Sequence, residues 1–180
     1  GDMSAYIPTN IISITDGQLF LESRLFFAGQ RPAVNVGLSV SRVGGDAQTR
    51  AMKRAAKTMR LDLAQYREME VFTQFSNDLD EATRRQLAYG QGLMRLLRQK
   101  KYHPYTIEGQ VVLLTAALHH ALQEIPAEQL DSFVPKLLVQ MHARQGALLQ
   151  RIAETKTLSD EDEKTIIEEA KQMVRGEFGA

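Results

Sequence analysis

Ser39, Ser41 and Arg42, followed at once by Gly44 and Gly45, are the residues of this chain best suited by type and spacing to do chemistry. A guanidinium is always charged and presents a planar fork of donors that fits phosphate oxygens. The two hydroxyls beside it are small enough to border a ligand without crowding it. A lone arginine of this kind is most often a surface residue capping a turn, so its setting matters. Val34, Val36, Leu38 and Val40 alternate with Asn35, Gly37, Ser39 and Ser41. That period of two predicts a strand over 34–40 with one apolar face and one small polar face. Arg42 then stands at the exit of a strand and in front of helix-forming sequence, where open α/β sheets place ligand chemistry.

Other chemistries find little purchase. No stretch of the 180 residues reads G-x-x-x-x-G-K-[ST], the loop whose backbone cradles phosphates and whose hydroxyl holds magnesium. Asp16 follows I-I-S-I-T as a strand-end metal carboxylate would, but without that loop it has no phosphate-bound metal to hold. There is no cysteine, which excludes disulfides, thiol catalysis and thiolate metal sites. His119 and His120 are adjacent, diverge by about 100° on a helix, and cannot chelate one metal; one packed and one exposed ring is the expectation. No metal site and no catalytic activity of the chain by itself are predicted.

The elements around Arg42 divide near Gly44. Before it, β-like runs at Ile11–Thr15, Leu19–Leu21 and Val34–Val40 are broken by Asp16-Gly17, Gly29 and Pro32. After it the pattern is helical. Asp46 is the expected cap of a first helix, on which Met52, Ala56, Met59, Leu63 and Tyr66 share one face. Arg50, Lys53, Arg54, Lys57 and Arg60 form a basic stripe beside it, best read as a solvated, ion-paired face. Ser76 or Asp78 is expected to cap a second helix running to about Lys101, with Gly90, Gly92, His103-Pro104 and Pro126 as weak points or breaks. Val111, Val112, Leu114, Leu118, Ala121 and Leu122 predict a third helix. Leu130, Phe133, Leu137, Met141, Leu148 and Leu149 predict a fourth. Ser159 with Asp162 offers a capping box for a short final helix in an acidic, solvated tail.

The fold class that follows is mainly α: a helical bundle domain at 46–180, preceded at 1–45 by the last strands of an α/β domain. Charges balance, 22 basic against 22 acidic, so nothing global favours nucleic acid or an anionic membrane. The longest run free of charged residues, Gly109–Gln123, has 15 residues, short of the roughly 20 needed to span a bilayer. A soluble chain is expected.

Several ordered segments resemble one family. These are G-D-M-S-A-Y-I-P-T-N-I-I-S-I-T-D-G-Q at 1–18, N-V-G-L-S-V-S-R-V-G at 35–44 and A-Q-T-R-A-M-K at 47–53. L-A-Q-Y-R-E at 63–68, Q-F-S-N-D-L-D-E-A-T at 74–83 and L-L-R-Q-K-K-Y at 96–102 continue the likeness. Together they resemble the alpha subunit of the rotary ATP synthase head, in its C-terminal portion. The family keeps its P-loop upstream of the matching region. The resemblance implies that Arg42 enters the nucleotide site of a neighbouring beta subunit as an arginine finger, with Ser39 implicated in activity. It implies that Ser13 and Gly17 line the same interface near phosphate, although plain strand and turn roles stand beside that reading. Phe26, Arg31, Pro32 and Gln99 would form the adenine pocket of a second, non-catalytic nucleotide site. Lys101 departs from the family pattern, and Asp46 stands where a small residue is common, close enough in sequence to pair with Arg42.

The acidic turn Asp78-Leu79-Asp80-Glu81 would face the rotating gamma stalk. ATP or ADP with Mg2+ in the full complex, beta subunits in an alternating ring, and a location peripheral to an energy-coupling membrane are the implied ligands, partners and setting. No nucleic acid and no membrane insertion belong to this reading. The competing class is a free-standing helical interaction module with no nucleotide role.

Overall fold

The computed structural model describes residues 2–73 and 79–179. Its helical part begins at α4 (Arg50–Ala55) and α5 (Met59–Thr73) and continues through α6 (Glu81–Leu96) and α7 (Ile107–Leu118). A 3-10 turn at Ala127–Gln129 leads into the long α8 (Leu130–Thr155), and α9 (Asp160–Phe178) ends the helical part. Ahead of these lie α1 (Tyr6–Ile14), β1 (Gly17–Gln18), α2 (Ser23–Phe27), β2 (Val40–Ser41) and the single turn α3 (Gly44–Ala47).

The core forms around α7, whose residues are apolar on nearly every side, as a helix surrounded by others must be. Val111, Val112, Leu113 and Ala116 are buried there. Ala51 and Ala55 of α4 pack on it, together with Phe133, Leu137 and Met141 of α8 and Ile166, Ala170 and Val174 of α9. The short alanines let α4 approach α7 closely, and the 4-4 spacing on α9 keeps one stripe inward.

Side-chain caps set where these helices start. Thr49 accepts from the Met52 N–H, Asp80 from Thr83, Thr106 from Gly109 and Ser159 from Asp162. The expected Ser159 cap is therefore present, on a helix of 19 residues and not a short one. Asp46 does not cap the helical part; it sits inside α3, and Thr49 takes that role. The expected caps Ser76 and Asp78 lie outside the described residues.

Two expectations are overturned. The apolar face running from Met52 to Tyr66 belongs to two helices, broken between Ala55 and Met59. α4 lies on α7 whereas α5 pairs with α6, and one straight helix cannot follow both surfaces. The helix expected to reach Lys101 ends at Leu96, and Gly90 and Gly92 lie inside it without breaking it. On α8 the fourth-helix residues are all buried as expected, and Gln145 leaves helical geometry (φ −124°, ψ 32°) at a kink between Met141 and Leu148.

The N-terminal segment differs most from its reading. Ile11–Ile14 is helical, as the end of α1, and not a strand. The 34–40 run is not a strand either. Leu21 and Val34 form an isolated bridge, and the backbone turns through Val36–Leu38 before pairing at Val40–Ser41. Asn35 closes this turn: its side-chain oxygen accepts from the Leu38 N–H at 3.1 Å and its carbonyl from the Ser39 N–H at 3.0 Å. Turn chemistry of an Asn two residues before a glycine thus outweighs β-alternation. The strands pair antiparallel, with Gly17 opposite Ser41 and Gln18 opposite Val40. Tyr6, Ile7, Ile11 and Ile14 leave the apolar side of α1 exposed.

Candidate functional site

Arg42 is held through its backbone and left open at its head. Its N–H donates to the Asp16 carbonyl at 2.9 Å, which extends the β1–β2 pairing by one link. The side chain is exposed and has no hydrogen-bond or ion-pair partner among the described residues. Ser41 turns the backbone behind it by accepting from the Gly44 N–H at 2.7 Å. Gly17 is required by close approach, since a Cβ there would stand 2.3 Å from the Val40 carbonyl oxygen. The pairing therefore brings Gly17 and Arg42 to one place from positions 25 apart in sequence.

Ser39 serves this arrangement from behind. Its hydroxyl donates to the Asn35 carbonyl at 2.7 Å and accepts from the Phe20 N–H at 3.0 Å, so both of its functions are taken up within the loop. Ser13 is exposed on α1 and donates to the Asn10 carbonyl at 2.7 Å. The expected Asp46–Arg42 pair is not formed; Asp46 meets Lys53 at 3.3 Å instead.

A second cluster forms where the segment leaving α6 crosses the Gly29–Ala33 loop. The Gln99 N–H donates to the Arg31 carbonyl at 2.9 Å, and Arg98 Nε donates to Gln30 Oε1 at 3.1 Å. The Arg31 guanidinium carbon lies 4.6 Å from the centroid of Phe26, a cation–π contact on a ring still half exposed. Pro32 follows Arg31 through a cis peptide bond. Phe26, Arg31, Pro32 and Gln99 are thus gathered in one region although Gln99 lies far off in sequence. The Gln99 side-chain amide turns to the His103 carbonyl at 3.4 Å, and Lys101 lies over the ring of Tyr102 at 4.7 Å.

At the far end of α6, Asp80 caps the helix and Glu81 follows on its first turn. Hydrogen bonds from the Thr83 side chain and backbone hold the Asp80 carboxyl below the usual carboxylate range. This end of α6 carries negative charge beside the positive helix terminus. Asp78 of the same turn lies outside the described residues.

The histidines part as expected in direction, but both are exposed. His119 Nε2 is 2.8 Å from Glu163 Oε1, and the His120 ring is tilted over Tyr89 at 4.4 Å. Glu163 also receives Arg54, which bonds Asp160 as well, so the basic stripe is ion-paired at this residue. In the acidic tail, Asp162 is buried and not solvated: the Arg151 guanidinium holds its carboxyl below the usual range.

Asn35 and Gln30 are the functional-region residues that periodicity missed. Both are buried polar side chains that tie the N-terminal loop to the helical part, Gln30 through Arg98 just past α6 and Asn35 through Arg67 of α5. The signal for Asn35 was present in the spacing Asn35-Val36-Gly37; for Gln30 there was none.

Residues 48–173 match the family model for the C-terminal domain of the ATP synthase alpha/beta chain. Residues 1–41 match that of the ATP synthase alpha/beta family nucleotide-binding domain. Over 167 residues the sequence is 53% identical to ATP synthase subunit alpha of Petrotoga mobilis, an alignment covering 93% of this sequence and 33% of that protein. The protein described here spans about a third of the length of this curated relative.

Proposed function

The chain belongs to the ATP synthase alpha/beta family, and on that premise we propose that it works as part of an alpha subunit, lending Arg42 to a neighbouring beta subunit's nucleotide site. The observation that carries this reading is the state of Arg42: backbone anchored to Asp16, guanidinium exposed and unpartnered among the described residues. An anchored cation with no internal partner is available to a ligand at no cost of breaking an ion pair. During phosphoryl transfer, charge spreads over the equatorial oxygens, and a guanidinium can match two of them at once. ATP or ADP with Mg2+ is the substrate at that site, and the metal-bound phosphates are held by the beta subunit. Gly17 keeps the two strands close enough for the Asp16–Arg42 link, and Ser39 ties the loop behind the arginine.

Phe26, Arg31, Pro32 and Gln99 are proposed to receive the adenine of a non-catalytic nucleotide. The half-exposed Phe26 ring and the Arg31 plane suit a flat base, whereas the Gln99 amide is engaged with His103 and would have to turn to read its edge. Ser13 is proposed to border the interface with the beta subunit. The acidic end of α6 at Asp80 and Glu81 is proposed to face the gamma stalk. The division into an N-terminal remnant (1–45) and a helical domain (46–180) follows the same reading, as does a location at the surface of an energy-coupling membrane. Among the described residues no helix is long and apolar enough to cross one.

The test is Arg42→Ala in the complete subunit assembled with its partners. An arginine finger contributes about 10³–10⁵-fold to turnover, so multi-site hydrolysis collapses while assembly and beta-site nucleotide occupancy persist. Arg42→Lys recovers little, because an ammonium lacks the planar fork. Turnover of the alanine variant within a few-fold of the parent would refute the assignment. Parallel loss of occupancy and assembly would make Arg42 an interface residue.

A further inference from the structure

We infer that Arg67 of α5 is a positioning residue for Arg42, acting through Asn35, so that the pose of the cation depends on the pose of the packed α5–α6 pair. This rests on the role proposed for Arg42; the contacts that carry it do not.

Arg67 Nη1 donates to the side-chain oxygen of Asn35, across 32 positions of sequence. Asn35 is 7% exposed, and its side chain is engaged at both of its polar atoms. Its oxygen also accepts from the Leu38 N–H at 3.1 Å, and its amide nitrogen donates to Glu22 Oε2 at 2.8 Å. The Asn35 carbonyl receives both the N–H of Ser39, at 3.0 Å, and its hydroxyl, at 2.7 Å. Ser39 in turn accepts from Phe20 at 3.0 Å, one residue before β2 leads to Arg42. Arg67 thus connects, through two residues, to the strand that leads to Arg42.

Room for the guanidinium is built into the turn. A Cβ on Gly37 would stand 2.9 Å from Arg67 Nη1, so a larger residue there would push the arginine off Asn35. The arginine is half-buried beneath the turn, where a charged donor to an amide oxygen is stronger than in water. Its own helix packs along α6. A tilt of this helix pair therefore moves Arg67, and with it the Asn35 turn. Lys53–Asp46 is another side-chain tie near Arg42, and it is an exposed ion pair of little strength.

Two measurements test this with Arg67→Met, which keeps the length of the side chain and removes its donors. In the full chain, amide hydrogen exchange at Leu38 and Ser39 is expected to quicken by about tenfold or more, while α8 and α9 keep their protection. Unchanged protection at both amides overturns the link, whatever Arg42 does. In the assembled complex, Arg67→Met is expected to lower turnover by about tenfold at unchanged beta-site occupancy. In an Arg42→Ala background it should add nothing further, since a residue acting through Arg42 has nothing left to position. An equal fold-loss in both backgrounds overturns the inference and marks Arg67 as a general structural residue. Full turnover of Arg42→Ala alone would instead refute the function proposed for Arg42, with the exchange measurement still deciding the contact.

Discussion

Replacing Gly90 by alanine should destabilise the protein, although alanine is the better helix former. Gly90 lies in the middle of α6, where exchange for alanine at an open site gains about 1 kcal/mol. Here α5 occupies the space. A Cβ at position 90 would stand 2.2 Å from Cδ2, 2.3 Å from Cγ and 2.6 Å from Cβ of Tyr66. Carbon atoms rest at about 3.5–4.0 Å, so the gap must open by roughly 1 Å or more. Rotating the ring cannot provide it, because the Tyr66 Cβ is itself too close and moves only with the α5 backbone. Tyr66 is also 7% exposed and bonds Glu70 at 3.2 Å, and burial pushes its phenol up to about 12. Separating the helices also strains the Tyr89–Asp62 hydrogen bond at 2.9 Å between them. Overpacking of this kind costs about 1–3 kcal/mol or more; at the upper end, less the propensity gain, the net loss is about 2 kcal/mol. For a protein of this size that lowers Tm by about 4–8 °C. Denaturant titration should show a lower midpoint at unchanged slope. A variant as stable as the parent would refute the reasoning. In a Tyr66→Ala background the same change should become neutral or stabilising; an undiminished cost there would mean that Tyr66 is not the obstacle.

Asp162→Asn should cost about 2 kcal/mol at neutral pH, the worth of a buried hydrogen bond to a charged partner, because the Arg151 guanidinium donates to this carboxylate. Its folded pKa is lowered, so its contribution is complete above about pH 4, where the unfolded aspartate is ionised, and fades as pH falls through the lower folded value. The parent should lose stability across that acid window more steeply than the variant in pH-stepped denaturation; parallel curves would contradict the assignment. Lys156 ends α8 at φ +58° with only backbone bonds in use, to Ile152 and from Ala51. Lys156→Gly should therefore raise the stability measured by denaturant titration, by about 0.5–1 kcal/mol, and a lowered midpoint would show that the side chain matters.

Periodicity was enough to find the helical region after residue 49 and the buried faces of α7 and α8, and capping chemistry the start of α9, because both act over a few neighbouring residues. Val111 with Val112, Leu130 through Leu149, and Ser159 with Asp162 could all be read this way. Ordered segments such as S-V-S-R-V-G at 39–44 carried the family, since a motif is legible wherever it sits. Tertiary structure decided everything that depends on which surface a segment meets. It broke the Met52–Tyr66 face into α4 and α5, because α7 and α6 lie in different directions. It kept Gly90 inside a helix, where Tyr66 needs the space, and buried Asp162 of the acidic tail against Arg151. It fixed the loop that the Asn35 turn makes of the 34–40 alternation, because Arg67 and Glu22 both meet the Asn35 side chain. Gln99 reaches Arg31 in the same way, through contacts between residues dozens of positions apart, for which no local spacing carries a signal.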